Sequence, residues 1–132
     1  MVTNVECMPL ILEKFPGFQP RWQKHLAFWG EEEAGLCNDV STFSHYVEEL
    51  INNNERTLLG EIFNLAEYLM KEGDENVRTA IATCFLENLI NFASHGSIQA
   101  RGFVEFLGPE SRDYCKAWDE FCGAKTEGLW EE

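Results

Sequence analysis

The sequence predicts an all-α fold: a single-domain bundle of about six to eight helices, set as antiparallel hairpins around a central helix, Asp74–His95. An α-solenoid is the alternative layout of the same hairpins. Three observations carry this. The stretch DENVRTAIATCFLENLINFASHG (residues 74–96) is apolar on two opposite faces, and such a helix is normally packed on two sides. The helices on either side of it are joined by very short turns. The chain has 132 residues and is 45% apolar, enough for one domain with a real core.

Within the central helix, Asp74 is an N-cap and Glu75 sits in the first turn, where the helix dipole favours an anion. Val77, Ala80, Ile81, Cys84, Phe85, Leu89 and Phe92 cover one broad face. Ala82, Leu86, Ile90 and Ala93 cover the other. His95-Gly96 makes a favourable end. The uncharged run is too short for a membrane span, and Glu87 interrupts it.

The first helix spans Val5 to Phe15. Pro9 belongs in a first turn, so the helix is expected to begin near Met8. Pro16, Gly17 and Pro20 make a rigid connection, and Pro20 suits N1 of a second helix, Arg21 to Trp29. There Trp22, Leu26 and Trp29 share a face beside Phe28. Glu31-Glu32-Glu33 and the residues through Asp39 form the expected mobile loop. Ser41 or Thr42 caps a third helix that runs to about Asn53, with Phe43, Tyr46, Val47, Leu50 and Ile51 as its stripe. Asn52-Asn53-Asn54 is a turn. A fourth helix covers Glu55 to Glu72 and Gly73 ends it. Ile98 to Leu107 reads as a short helix rather than a strand, given its surroundings. Gly108-Pro109-Glu110 starts the last helix, Pro109 to Phe121, which presents Tyr114, Ala117, Trp118 and Phe121.

Charge is the strongest global feature. There are 23 acidic and 10 basic residues, a net of −13. Residues 1–30 hold two acids and three bases, and the remaining −14 falls after them. Such a field repels nucleic acid and anionic lipid, and it speeds encounter with basic partners. Five cysteines without a CxxC pair do not make a disulfide framework. Cys84 reads as a small core hydrophobe. The start, MVTNVECMPLILEKF, lacks a basic n-region and carries Glu6, so no signal peptide is expected. The expected compartment is the reducing cytoplasm.

No catalytic, cofactor or metal motif is recognised. His25, His45 and His95 fall on three segments without metal-site geometry. Cys115 and Cys122 lie seven apart on one helix, where core packing is the simpler reading. Thr83, Glu87, Asn91 and His95 recur every four residues as a polar seam, read as a solvent-facing edge. An enzyme using Glu87 with His95 or Cys115 is the rival reading. Asn88 points into the broad apolar face, where an unpaired amide would cost ~1–3 kcal/mol, so it must find a partner, most simply a neighbouring backbone group. The remaining candidates are acid clusters, two of them beside tryptophans. They comprise Trp29 with Glu31, Glu32, Glu33 and Asp39; Glu48 with Glu49; Glu72 with Asp74 and Glu75; and Glu127 with Trp130, Glu131 and Glu132. An aromatic anchor ringed by acids suits a basic protein surface.

The block LGPESRDYCKAWDEFCGAKTEGL (residues 107–129), with ATCFLENLIN (residues 82–91), resembles small bacterial all-α proteins of poorly assigned function. In size, acidity and helical layout the whole chain resembles immunity proteins of contact-dependent growth inhibition and other polymorphic toxin systems. That resemblance implies a cytoplasmic inhibitor. It would bind a cognate toxin domain, basic and nuclease-like, and occlude its cleft without catalysis or cofactor. A helical scaffold binding a peptide or regulatory partner is the other expectation.

Overall fold

The computed structural model describes residues 1–131; Glu132 lies outside them. In chain order the helices are α1 (Asn4–Lys14), a 3-10 turn (Pro16–Phe18), α2 (Gln19–Trp29), α3 (Leu36–Asn52), α4 (Arg56–Glu72), α5 (Glu75–Ile81), a π-helical segment (Ala82–Leu86), α6 (Glu87–Ser94), α7 (Arg101–Val104) and α8 (Pro109–Cys122). No strand occurs among the described residues; Val2 and Gly73 form an isolated parallel bridge. None of these helices is long and apolar enough to cross a membrane.

The α5–π–α6 run is unbroken and occupies the centre. Asp74 accepts a hydrogen bond from Val77 N at 2.9 Å and so caps it. Val77, Ile81, Phe85, Leu86 and Leu89 are buried on both of its faces. It touches α1, α3, α4 and α8. The π turn sits in its middle, where Glu87 N donates to Ala82 O, five residues back. Asn88 works at this irregularity. Its amide nitrogen lies 2.9 Å from Cys84 O, 3.0 Å from Ser41 Oγ and 3.1 Å from Ser44 Oγ. The expected backbone partner is present, and two hydroxyls of α3 join it.

Residue numbers on α3 and on the central run rise together along their contact, so the two are parallel. Cys37 bonds to Cys84 with Cα atoms 5.5 Å apart. The rings of His45 and Phe92 lie 5.1 Å apart, and Ser97 Oγ donates to Glu48 at 2.7 Å. The disulfide corrects the reading of Cys84 as a simple hydrophobe. It forms because α3 starts at Leu36, not at Ser41 or Thr42. Gly35 stands at its N-cap, Asp39 lies in the first turn, and Val40 is fully buried. That early start sets Cys37 beside the π segment. In the chain-entropy account, closing a loop of 47 residues contributes about 4 kcal/mol.

The first helix has the expected extent but starts at Asn4 rather than near Met8. Thr3 N donates to Glu6 Oε1 at 2.9 Å, and Asn4 N donates to Asp74 Oδ2 at 3.1 Å, so Asp74 serves two helix starts. Pro9 is therefore inside α1. The Val5 carbonyl it leaves without an intrahelical donor belongs to a residue 79% exposed, where water can serve it. The piece from Ile98 to Leu107 contains only one short helix, α7, whose Phe103 and Val104 are buried.

The last helix is rotated from the expected face. Its buried residues are Ser111, Cys115 and Asp119, while Phe121 is 81% exposed and stacked on Trp118. Polar residues go inward here because each has a partner. Glu67 of α4 accepts from Glu110 N at 2.8 Å and from Ser111 N and Oγ at 2.9 Å. Asp119 accepts from Thr126 N and Oγ1 and from Trp130 Nε1, at 2.6, 2.8 and 2.9 Å. Arg112 donates to Leu129 O and Val104 O. Helix α8 thus holds α4 on one side and the C-terminal segment on the other. Burial alone would raise the Glu67 carboxyl, but the donors of Ser111 and Glu110 hold it below its ordinary value of 4.5.

Asn88→Ala strips partners from Cys84 O and from the Ser41 and Ser44 hydroxyls. It should lower unfolding free energy by ~1–3 kcal/mol in denaturant titration, with helicity retained. The pH dependence has a definite sign for Glu67. The unfolded carboxyl takes up its proton at a higher pH than the folded one. Its contribution is therefore full above 4.5 and is lost as pH falls through the lower folded value. Glu67→Gln should lower the melting temperature at neutral pH and flatten the fall in stability below 4.5; an unchanged acid limb would count against this role.

Candidate acidic docking groove

Helix α2 has no buried residue. It is held by a ladder of rings along one face: Phe18–Trp22 at 6.1 Å, Trp22–His25 at 5.3 Å and His25–Trp29 at 6.4 Å. His25 is the hub, its side chain only 8% exposed. Its Nε2 lies 2.7 Å from Asp39 Oδ1 and its Nδ1 lies 2.9 Å from Thr42 Oγ1, both on α3. With Nε2–H donating to the Asp39 carboxylate, Nδ1 accepts and the Thr42 hydroxyl donates. Beyond α2 the chain folds back through Gly30 and Gly35, at φ +62° and +88°, a region few other residues adopt.

A groove of about 470 Å³ opens between α1, α2 and this returning loop. Val5 and Met8 of α1 line one wall and Trp22, Leu26 and Trp29 of α2 the other, and Leu36 also lines it. The part-buried Asp39 and His25 line the groove as well, and the exposed Glu31, Glu32 and Glu33 form its rim. The three rim glutamates are exposed and make no ion pair among the described residues. Of the candidates read from sequence, Trp29, Glu31, Glu32, Glu33 and Asp39 therefore come together at one place.

The other acids do not join them, and several are occupied. Glu48 accepts from Ser97 and Glu49 pairs with Arg21 at 2.8 Å. Asp74 is spent on capping α1 and α5, whereas the exposed Glu72 side chain makes no ion pair among the described residues. Glu75 is an exposed first-turn residue of α5. Glu127 and Glu131 both bind Arg101, at 3.0 and 2.9 Å. Trp130 is part-buried, bonded to Asp119 and covered by Lys116 at 5.5 Å. Glu132, the remaining candidate, lies outside the described residues.

The polar seam is divided in the same way. Thr83, Asn91 and His95 are exposed, while Glu87 accepts from the Tyr114 hydroxyl. Burial, then that bond, pushes Tyr114 up to about 12. His95 and Asn91 line a separate cavity of about 580 Å³ near Trp118 and Lys125, which neither Glu87 nor Cys115 lines. Burial pushes the Cys115 thiol up to about 12, which makes it a poor nucleophile at neutral pH. Among the described residues no cluster of three or more His, Cys, Asp or Glu side chains is placed to hold a metal ion.

Hydroxyl, imidazole and carboxylate in line are the parts of a nucleophilic triad. Here they join α2 to α3. The groove is lined by His25 and Asp39 but not by Thr42, whose hydroxyl also lies 3.2 Å from Asn38 O within its own helix. Sequence reasoning missed His25 and the α1 wall. The signal was present: His25 is three residues after Trp22 and four before Trp29, on one helical face.

His25→Ala should release α2. Amide exchange should rise through Gln19–Trp29 and the following loop, while α3 to α6 stay protected. Exchange unchanged in α2 would show that the tryptophans alone hold it.

A family model described as a domain of unknown function (DUF7674) matches residues 8–123. No curated protein matches the chain, and no solved structure does.

Proposed function

The chain belongs to the DUF7674 family, and we propose that it works by binding, as the neutralising partner of a basic protein domain. The specific form proposed is an immunity protein that occludes the active-site cleft of a cognate, nuclease-like toxin. The observation that carries it is the rim of Glu31, Glu32 and Glu33, which stands unpaired beside the exposed apolar side chains of Val5 and Leu26. Most of the other acid clusters are neutralised or bonded inside the chain.

The mechanism is occlusion. A nuclease needs a basic cleft for phosphates. Carboxylates without internal partners replace those phosphates and steer the approach. Apolar side chains at the centre of the contact then slow release. No bond is made or broken. The proposal places this in the cytoplasm. The Cys37–Cys84 disulfide is the observation that pulls the other way, because reducing compartments keep most thiols apart.

Co-expression with the product of the adjacent upstream gene is the test. A stable complex and relief of toxicity are expected. Replacing Glu31, Glu32 and Glu33 by Lys should slow association about tenfold or more at low salt, and less as salt rises. Neither complex nor relief would end the toxin reading.

A further inference from the structure

Three features compete as the contact surface. The cavity near His95 and Lys125 is lined by mixed polar groups with no dominant charge. The C-terminal acids are held by Arg101, and their tryptophan is bonded inward. The α1–α2 groove differs from both, because its three rim glutamates and two of its apolar side chains, Val5 and Leu26, are unengaged. Val5 is 79% and Leu26 43% exposed, in a chain whose other aliphatic side chains are mostly buried. Lys24, the exposed cation of α2, does not line it. At Asp39 only Oδ1 is taken, by His25.

We propose that this groove seats a cationic amphipathic segment of the protein partner. An aliphatic or aromatic side chain of that segment enters between Val5, Leu26 and Trp29. Lysines or arginines flanking it meet Glu31, Glu32 and Glu33. This rests on the reading that the protein binds a basic partner, and it names the face and the mode.

The order of charge and apolarity selects this occupant. A nucleic acid meets repulsion at the rim. A second copy of this chain would bring its own excess of acid against the same rim. A simple cation would leave Val5 and Leu26 uncovered. A helix or loop carrying both kinds of side chain covers the walls and neutralises the rim together.

The test uses the intact chain and three labelled peptides: a short leucine–lysine amphipathic helix, the same peptide with its lysines acetylated, and oligolysine. Anisotropy titration should show binding of the first alone, weakened by salt. Amide shift changes should concentrate in α1, α2 and residues 30–36. The double variant Val5→Gln, Leu26→Gln should weaken binding about tenfold with an unchanged melting temperature, since both side chains already face water. Replacing Glu31, Glu32 and Glu33 by Gln should do the same. Oligolysine binding as tightly as the amphipathic peptide would overturn the apolar half. Shifts confined to α8 and the C-terminal segment, or unaltered affinity in both variants, would overturn the face while leaving a binding role intact. Dimerisation through the groove would overturn the occupant. Failure of every cationic peptide, together with failed co-expression, would remove the underlying reading as well.

Discussion

One side-chain amide holds the register on which the rest of this molecule depends. The central helix takes an extra residue in its π turn, and the turn lies where backbone polar groups have no water to fall back on. Asn88 answers one of those groups, Cys84 O, and reaches Ser41 and Ser44 of α3 with the same nitrogen. The Cys37–Cys84 bond sits one turn earlier along the same contact. Together they leave α3 no freedom to slide. Helix α3 in turn carries Asp39 and Thr42, which hold His25, and His25 holds α2. The groove is thus the outermost consequence of a choice made in the core.

The same logic of satisfied polar groups orders the other end. Ser111 and Asp119 are buried because Glu67 and the 126–130 segment supply what they need. Phe121 is left outside. Hydrophobic periodicity alone predicts the reverse, since it cannot count donors that arrive from distant parts of the chain. Where Glu127 and Glu131 look like an acid patch in the sequence, the fold hands them to Arg101. A net charge therefore says little about a surface until the internal pairs are known.

For function, the division between engaged and unengaged carboxylates matters more than their number. A binding protein needs groups that lose little by meeting a partner. Carboxylates already bonded to Arg101 or capping two helices would have to give those bonds up first. Those at residues 31–33 have nothing to surrender but water. Their neighbours on α2 gain by being covered. The groove thus joins an electrostatic reason for fast encounter to an apolar reason for slow departure.

Much of the architecture was written locally. The two-sided apolar pattern from Val77 to Ala93 marks the central helix, Asp74 and Gly96 mark its ends, and Gly108-Pro109 marks the start of α8, because periodicity, caps and proline act over one or two turns. Longer-range features were hidden for a corresponding reason. The early start of α3, the Cys37–Cys84 bond, the π turn, the rotation of α8 and the gathering of His25 with Asp39 each depend on a partner brought from elsewhere in the chain. The acids themselves are legible by composition, as is Trp29. Which of them remain available was decided only by tertiary structure, since a carboxylate is neutralised or left bare by what packs beside it, and neighbours in space are not neighbours in sequence.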